Sequence, residues 1–493
     1  MRLPLSLKMA NRNYQDAVQA LNSLQSNYAN IMAIRASGDR KNMMNIWEMQ
    51  EWSRRIGYSV SDFNKLNVIH ITGTKGKGST AAFTQGILNQ YKDTLSKVGL
   101  YTSPHLRSVR ERIRINGEPI TEELFSKYFF EVWDRLDETS SNEDKFPHMT
   151  EGQKPGYFKY LTLLSFHVFM QEGCGTCIYE VGVGGEFDST NIIEKPTVCG
   201  VSALGIDHTF MLGNTIEEIA WNKGGIFKEG APAFTVKSQP KTGSQVLQER
   251  AAERHTTLSE VPIFEHLKTI KLGIAGDFQI KNASLATALA HQHLVSLDIL
   301  KEPLELASSA KIPDLFRKGL EQTVWEGRCQ IIRSNNITWY IDGAHTKESI
   351  EAASGWFRDV TATFNRKKVL LFNQQSRDAK ALLGYLYETI SPAVEFDAAI
   401  FTTNVTWKTG NYSADLVSLN TSKEQVDKLE VQQNLQKEWI LLNETEHRNV
   451  EVTSSIEAAL DLIKNMGEPV DVFVTGSLHL VGGFLVVLDG KPT

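Results

Sequence analysis

One stretch constrains this chain more than any other: Val68-Ile69-His70-Ile71-Thr72-Gly73-Thr74-Lys75-Gly76-Lys77-Gly78-Ser79-Thr80. Its β-branched apolar run fits a buried strand, its three glycines fit a tight turn, and Ser79 and Thr80 open an amphipathic helix from Thr80 to Leu88. Such a turn lets several backbone N–H groups converge on an anion, aided by the positive end of the helix dipole. Lys77 adds a mobile positive charge, and Ser79 or Thr80 adds a hydroxyl able to ligate a divalent metal. The chemistry is that of a nucleoside triphosphate site; a purely structural turn is the plainer alternative. The spacing departs from G-x-x-x-x-G-K-[ST]. Gly73 and Gly76 are three apart, and Gly78 separates Lys77 from Ser79.

Length bounds the architecture. A chain of 493 residues is too long for one ordinary core, so two or three domains are expected. With 41% hydrophobic and 22% charged residues the composition is that of a soluble globular protein. The balance of 52 Lys+Arg against 58 Asp+Glu, net −6, argues against nonspecific nucleic-acid binding and against attachment to an anionic membrane. No apolar run reaches the ~20 residues that span a bilayer. Four cysteines make no disulfide framework, which points to a reducing compartment. Cys174 and Cys177 spell C-x-x-C, but Cys199 and Cys329 stand alone, and Cys177 begins an apolar strand where a buried thiol is ordinary. Arg2, Lys8 and Arg12 precede the first acid, Asp16. That is compatible with a mitochondrial presequence followed by an internal start at Met9; an N-terminus without fixed structure is the plainer reading.

Taken in order, residues 14–56 read as helices and residues 98–102 as a second short strand, ended by Ser103-Pro104-His105. The basic run Arg107, Arg110, Arg112 and Arg114, interrupted by Glu111, would usually be a solvated face, yet it follows a strand end, where α/β sheets place ligands. Residues 137–156 read as a long surface loop, uncommon unless functional. A helix from Tyr157 to Met170 leads into the strand Cys177 to Val181, which carries Glu180 in apolar company. A carboxylate there costs several kcal/mol unless it is paired or bound to metal. A Mg²⁺-linked carboxylate is the reading preferred over a structural ion pair. The strand Thr197 to Leu204 ends in Gly205-Ile-Asp207-His208, and a helix from Ile216 to Ile226 carries Lys223. Strands and helices alternate to about residue 310, implying a mostly parallel, doubly wound sheet. Near residue 325 the pattern restarts, with strands at 329–333, 338–341, 369–372, 398–402 and 470–475. The expected fold is therefore α/β: an N-terminal P-loop ATPase domain (residues 1–322, with N-terminal helices) and a smaller α/β, Rossmann-like domain (323–493). Residues 408–447 look like a polar insertion on the latter. Three of its strands end in polar loops: Asp342 to Thr346, Asn373 to Asp378, and Gly476 to His479. Together they suggest a ligand-facing edge turned toward the first domain.

At this point the chain resembles the folylpolyglutamate synthase family, of eukaryotic type, within the Mur-ligase-like superfamily. The likeness rests on GTKGKGST at 73–80, YTSPHL at 101–106, VRERIRING at 109–117, GYFKYLTL at 156–163, YEVGVGGEFDSTN at 179–191, GIDHTFMLG at 205–213, the Lys223 segment and DGAHT at 342–346. It covers nearly the whole chain. It implies an ATP-dependent ligase that joins the γ-carboxyl of tetrahydrofolate, or of its polyglutamates, to L-glutamate through an acyl phosphate. By the resemblance Gly73, Thr74, Lys75, Gly76, Lys77, Gly78, Ser79 and Thr80 bind ATP, with Asn282, Arg328, Asp342 and His345 contacting it from across a cleft. Ser79 and Glu180 would hold one Mg²⁺; His208 would join Glu180 at a second. Lys223, carbamylated in the family, would become a further metal ligand. Lys77, Glu180, His208 and Lys223 form the implied catalytic set, and K⁺ or another monovalent cation is a further candidate cofactor. Ser103, Pro104, His105, Tyr157 and Phe158 fall in segments associated with folate, and Ser477 and His479 near where glutamate binds. Two motifs depart from the family: W-P-G-R reads Trp325-Glu326-Gly327-Arg328, and G-x-H-Q reads Gly276-Asp-Phe-Gln279. The partners expected are reduced folate, L-glutamate and ATP, with no nucleic acid and no transmembrane segment. A monomer is expected, in the cytoplasm, with a mitochondrial isoform. The rival readings are a dihydrofolate synthase, alone or bifunctional, and a nucleotide-gated binding module that ligates nothing.

Overall fold

The structure, a computed structural model, describes residues 12–25, 43–375, 378–391, 393–409, 415, 429–443 and 449–490. The basic N-terminal residues Arg2 and Lys8, the start at Met9, Arg377 and much of 408–447 lie outside the described residues. Arg12 lies inside them and pairs with the buried Asp134 at 2.8 Å.

The first sheet contains β1 (Val68–Thr72), β2 (Lys97–Tyr101), β3 (Ile113–Ile115), β4 (Glu118–Pro119), β5 (Cys174–Glu180), β6 (Val198–Val201), β7 (Ala233–Val236) and β8 (Leu258–Val261). Their order is β4-β3-β2-β5-β1-β6-β7-β8, parallel except where β3 meets β2 and β4. β1 lies between β5 and β6 and is buried at every position, as a parallel strand covered on both faces must be. Alternation along β1 sends Ile69 and Ile71 to the face covered by the helices Lys77–Leu88, Gln279–Ser296 and Asp314–Gln322. Val68 faces the other side, against Tyr101, Tyr179 and the helices Tyr14–Asn22, Met43–Arg55, Glu122–Glu138 and Tyr157–Gln171.

The second sheet contains β9 (Gln330–Ser334), β10 (Ile337–Ile341), β11 (Lys367–Phe372), β12 (Ala398–Thr402), β13 (Asn449–Thr453) and β14 (Val470–Thr475). Its order is β13-β12-β11-β14-β10-β9, and only β9 runs antiparallel to its neighbour.

Four features differ from the sequence reading. The helix after the glycine loop starts at Lys77 rather than Thr80, because Gly76 takes a left-handed φ of 84° and caps it. Strands β3, β4, β7, β8 and β13 were not anticipated: they are two to five residues long, and β8 and β13 are half polar. The 408–447 segment is not wholly a surface insertion. Its helix Glu430–Asn443 buries Leu435 and Trp439 and carries the chain from β12 over to β13. The 137–156 loop is pinned to the core. Arg55, 2% exposed, donates to the carbonyls of Leu136, Thr139 and Met149, and Met149 is itself fully buried. The four cysteines are all buried free thiols, and burial pushes Cys199 up to about 12, the behaviour of packing groups.

Candidate active site

The glycine loop leaves the C-terminal end of β1, where open α/β sheets bind ligands. Thr72 Oγ1 donates to Gly184 O at 2.6 Å, tying the loop to the glycine turn after β5. Gly73 and Gly76 have φ of 146° and 84°. Sterics demand glycine at both: a Cβ would lie 1.9 Å from Ser202 Oγ at position 73 and 2.2 Å from Asn282 Oδ1 at position 76. Gly78 is different. A Cβ there would meet Glu180 Oε1 and Trp325 Nε1 at 3.6 Å, ordinary contact.

The loop amides divide into two sets. Those of Thr74 and Lys75 both donate to Ala203 O, at 2.9 and 3.0 Å, so they anchor the loop. Those of Lys77, Gly78 and Ser79 precede the first intrahelical bond, from Thr80 N to Gly76 O at 2.8 Å, and belong to the helix end that suits an anion. Ser79 is buried near them, and the buried Thr80 Oγ1 has no hydrogen-bond partner among the described residues. Lys75 reaches Asp207 at 3.4 Å.

Two lysines converge on one carbonyl. Lys77 Nζ donates to Gly73 O at 3.0 Å and Lys223 Nζ to the same oxygen at 2.8 Å. Lys223 is 3% exposed, and burial, with the Lys77 charge added, holds its amine well below the usual lysine range. Asp188 and Asp207 act on it in the opposite sense. Asp188 also accepts the N–H groups of Val183 and Thr190, at 3.0 and 3.1 Å, which shapes the turn after β5.

Glu180 ends β5 opposite Ile71 of β1. It is buried, and its Oε2 accepts the Ser103 N–H at 2.9 Å. Burial raises its carboxyl above the usual range, against the opposing pull of Lys77, then Arg328 and Arg112. These three cations come from the loop, the inter-sheet connection and the arginine run. His208 is placed otherwise: it is exposed, at φ 51°, with its N–H on Asp207 Oδ1 at 2.8 Å. Among the described residues no three His, Cys, Asp or Glu side chains form a group that could hold a metal. The oxygens of Ser79 and Glu180 at the helix end are nonetheless the hard donors Mg²⁺ prefers.

The second domain presents its strand ends to this loop. Asp342, 5% exposed, accepts the Cys329 N–H at 2.9 Å; burial raises its carboxyl while Arg328 opposes the shift. Gly343 leaves room for Arg328, whose Nη1 would lie 2.8 Å from a Cβ there. His345 Nδ1 contacts Gly343 O at 2.9 Å. Asn282 lies over Gly76 and donates to Gln279 Oε1 at 2.8 Å. Ser477 Oγ accepts from Leu480 N at 3.1 Å, capping the helix Leu478–Asp489 whose first turn exposes His479.

Beside Glu180 runs the segment after β2. The Ser103–Pro104 bond is cis. His105 Nε2 donates to Asp415 O at 2.8 Å, and its Nδ1 accepts from Arg112 Nε at 2.9 Å. Burial, with the Arg112 charge added, pushes its pKa down to about 3 against the opposing pull of the Asp415 carbonyl, so the imidazole is neutral. Tyr157 faces Arg112, and the Phe158 ring packs where a Cβ on Gly182 would otherwise sit, 2.3 Å from Cζ. The sequence reading gave no role to Asp188, Asp207, Arg112 or Asp415. The two acids stand in motifs it quoted, each just after a glycine turn. Asp415 carried no signal, since its contacts are made across about 300 residues of chain.

Comparison with known proteins adds sequence and fold relationships. The sequence model of a family described as "Dihydrofolate synthetase, C-terminal domain" matches residues 327–487. Folylpolyglutamate synthase of Saccharomyces cerevisiae (strain ATCC 204508 / S288c) is 67% identical over 484 residues, 98% of this chain and 88% of that protein. Folylpolyglutamate synthase of Mycobacterium tuberculosis, solved with ADP and AMPPCP, superposes with a TM-score of 0.66 at 20% identity, covering 94% of this chain and 98% of that one. E.coli FolC, solved with DHPP and ADP, gives a TM-score of 0.63 at 22% identity over 95% of this chain and 99% of that one. At those identities the two structures are similar in fold.

Proposed function

The chain belongs to the folylpolyglutamate synthase family, and from that premise we propose how its residues carry out the reaction. It is an ATP-dependent ligase that adds glutamate to the γ-carboxyl of tetrahydrofolate and its polyglutamates. The observation that carries the reading is the open helix end at Lys77–Ser79 with the buried Glu180 carboxylate beside Gly78, where the charges of Lys77, Arg328 and Arg112 act on it. The cations Lys77, Arg328 and Arg112 can offset the charge of a polyanionic substrate pair as phosphoryl transfer proceeds.

A carboxylate is a poor electrophile. An oxygen of the folate γ-carboxylate attacks the γ-phosphorus of ATP, the bond to the β-phosphate bridge breaks, and ADP leaves. The unprotonated amine of glutamate then attacks the acyl carbon, its nitrogen gives up one proton to the departing phosphate, and phosphate leaves the tetrahedral adduct with its bonding pair. The first-turn amides of the helix Lys77–Leu88, with Lys77, steady the phosphates. Arg328 and His345, at the facing strand ends, steady the nucleotide from the other domain. Ser79 and Glu180 would hold Mg²⁺, which supplies charge neutralisation during phosphoryl transfer. We expect Glu180→Gln to raise the Mg²⁺ concentration needed for half-maximal rate by about tenfold or more; an unchanged Mg²⁺ titration would assign Glu180 to structure alone.

Lys223 fits carbamylation, because only a neutral amine takes up CO₂ and its burial favours that form. A carbamate keeps one N–H, enough to go on donating to Gly73 O. An intact mass of active enzyme without the added 44 Da would remove that assignment. His208 would need to turn inward to join Glu180 at a second metal. K⁺ or another monovalent cation would take carbonyl and hydroxyl oxygens, and rates compared in KCl and NaCl test for it. A monomer in the cytoplasm, with a mitochondrial form that keeps the basic residues before Met9, completes the reading; sedimentation and cell fractionation test it.

The deciding assay offers the purified protein ATP, Mg²⁺ and glutamate with either tetrahydrofolate or dihydropteroate. A product heavier by one glutamate on tetrahydrofolate is the expected result. Product from dihydropteroate alone would favour the dihydrofolate synthase suggested by the name of the matched C-terminal family. ADP release without any ligated product would favour the binding module.

A further inference from the structure

Of the four arginines in the run after β2, three have their charge or hydrogen bonds met by the protein. Arg107 pairs with Glu326 and Asp489. Arg110 lies 3.8 Å from Glu122 and donates to Ile120 O. Arg114 donates to the carbonyls of Glu111 and Gly117 and covers the Trp325 ring at 5.1 Å. Arg112 is the exception. It is 8% exposed, yet its one hydrogen bond runs from Nε to His105 Nδ1, and its two terminal nitrogens have no hydrogen bond or ion pair to a described residue. Its charge acts on the carboxylate of Glu180, which Lys77 and Arg328 also share.

A guanidinium this buried is costly unless an anion completes it. Its surroundings say where that anion comes from. The Tyr157 ring lies 5.5 Å from Arg112 Cζ, His105 holds its Nε, and its charge is felt by His479 of the second domain. The neutral His105 accepts from Nε and so aims the remaining planar edge, two N–H groups wide, away from itself. Such an edge matches a carboxylate in two parallel hydrogen bonds, which a lysine ammonium cannot copy.

We infer that Arg112 binds a substrate carboxylate at the seam between the two domains. The assignment rests on the ligase reading above. The carboxylate belongs to an α-amino-acid end, either that of the incoming glutamate or that of the terminal glutamate already on the folate.

The test uses the full chain and steady-state kinetics with ATP, glutamate and tetrahydrofolate each varied. Losing one charge-assisted pair, Arg112→Gln raises the KM of one carboxylate substrate about 10- to 100-fold and leaves that of ATP within about twofold. Arg112→Lys, which keeps the charge, recovers part of the loss. The substrate whose KM moves identifies the source of the carboxylate. Unchanged KM values for both, or a fall in kcat alone, would overturn the assignment. Should the variants not fold, the wild-type protein serves: glutamate α-amide and folate with its terminal α-carboxylate amidated are compared with the parent acids. One of the two amides is expected to bind about 10- to 100-fold more weakly, and equal use of amides and acids overturns the inference. A wild-type protein that ligates no glutamate at all refutes the ligase reading instead.

Discussion

Single residues set the chemistry here through what their burial forces on them. Lys77 is half-buried and held by the Gly73 carbonyl, so truncating it removes a charge without opening a core cavity. Lys77→Ala is expected to lower folate-dependent ADP release by at least about 100-fold while leaving the unfolding transition in place. Undiminished turnover would remove the phosphate-loop assignment. His293 illustrates the opposite case, a fully buried histidine with no part in the chemistry. Its two ring nitrogens meet Thr176 and Thr197 hydroxyls at 3.0 and 2.7 Å, and burial pushes its pKa down to about 3. Between that value and 6.5, the unfolded chain binds a proton that the native state refuses. The stability associated with the neutral ring is therefore complete above pH 6.5 and is lost as pH falls toward 3, by up to about 1.4 kcal/mol per pH unit. His293→Gln, which keeps one donor and one acceptor, is expected to flatten that slope, as urea midpoints at pH 4, 5, 6 and 7 would report.

At the scale of elements, the phosphate loop is only as well placed as the helix it opens. The helix Lys77–Leu88 crosses Asp314–Gln322 at a contact between two glycines. A Cβ on Gly86 would lie 2.1 Å from Thr323 Oγ1 and 2.8 Å from Gly319 O, both on atoms with little room to move. Gly86→Ala is thus expected to destabilise by about 1–3 kcal/mol through overpacking, despite alanine's better helix propensity. Gly78→Ala, two turns earlier on the same helix and free of such a contact, should leave stability unchanged or raise it by about 0.5–1 kcal/mol. Chemical denaturation of the two variants side by side checks the pair. Equal midpoints would mean that the glycine crossing does not hold the helix. Pattern reading located both helices because their apolar spacing is strong. It could not see the crossing, which depends on which faces of two distant segments touch.

For the whole molecule the issue is how the two sheets face each other across the site. Arg107, on the first domain, pairs with Glu326 in the connection and with Asp489 at the end of the last helix. Glu326 precedes Gly327-Arg328, so its ion pair with Arg107 braces the connection just before Arg328. Partly exposed pairs contribute only about 0–1 kcal/mol to stability. Arg107→Ala is accordingly expected to shift the unfolding midpoint little and to lower kcat more, since Arg328, proposed above to steady the nucleotide, lies just beyond this junction. Salt screens such pairs, so the ratio of wild-type to variant kcat should narrow as KCl rises from 50 to 500 mM. A variant matching wild type at low salt would show that the junction holds its geometry without the pair.

Neighbouring residues alone make legible the strand–loop–helix at residues 68–88, the α/β class with its two mostly parallel sheets, and the family. Each is local: periodicity, glycine spacing and short motifs are properties of neighbouring residues, and a one-dimensional reading recovers them. Three-dimensional contacts were needed to see that Thr74 and Lys75 anchor the loop while the amides of Lys77, Gly78 and Ser79 remain at the helix end, that Lys77 and Lys223 share one carbonyl, and that Arg112 is buried with no carboxylate partner among the described residues. They likewise turned Glu430–Asn443 from an insertion into part of the sheet's cover and brought Asp415 onto His105. Those facts depend on burial and on contacts between segments far apart in the chain. Burial alters the free energy of a charge by several kcal/mol, and no pattern of neighbouring letters records how much water each side chain has left.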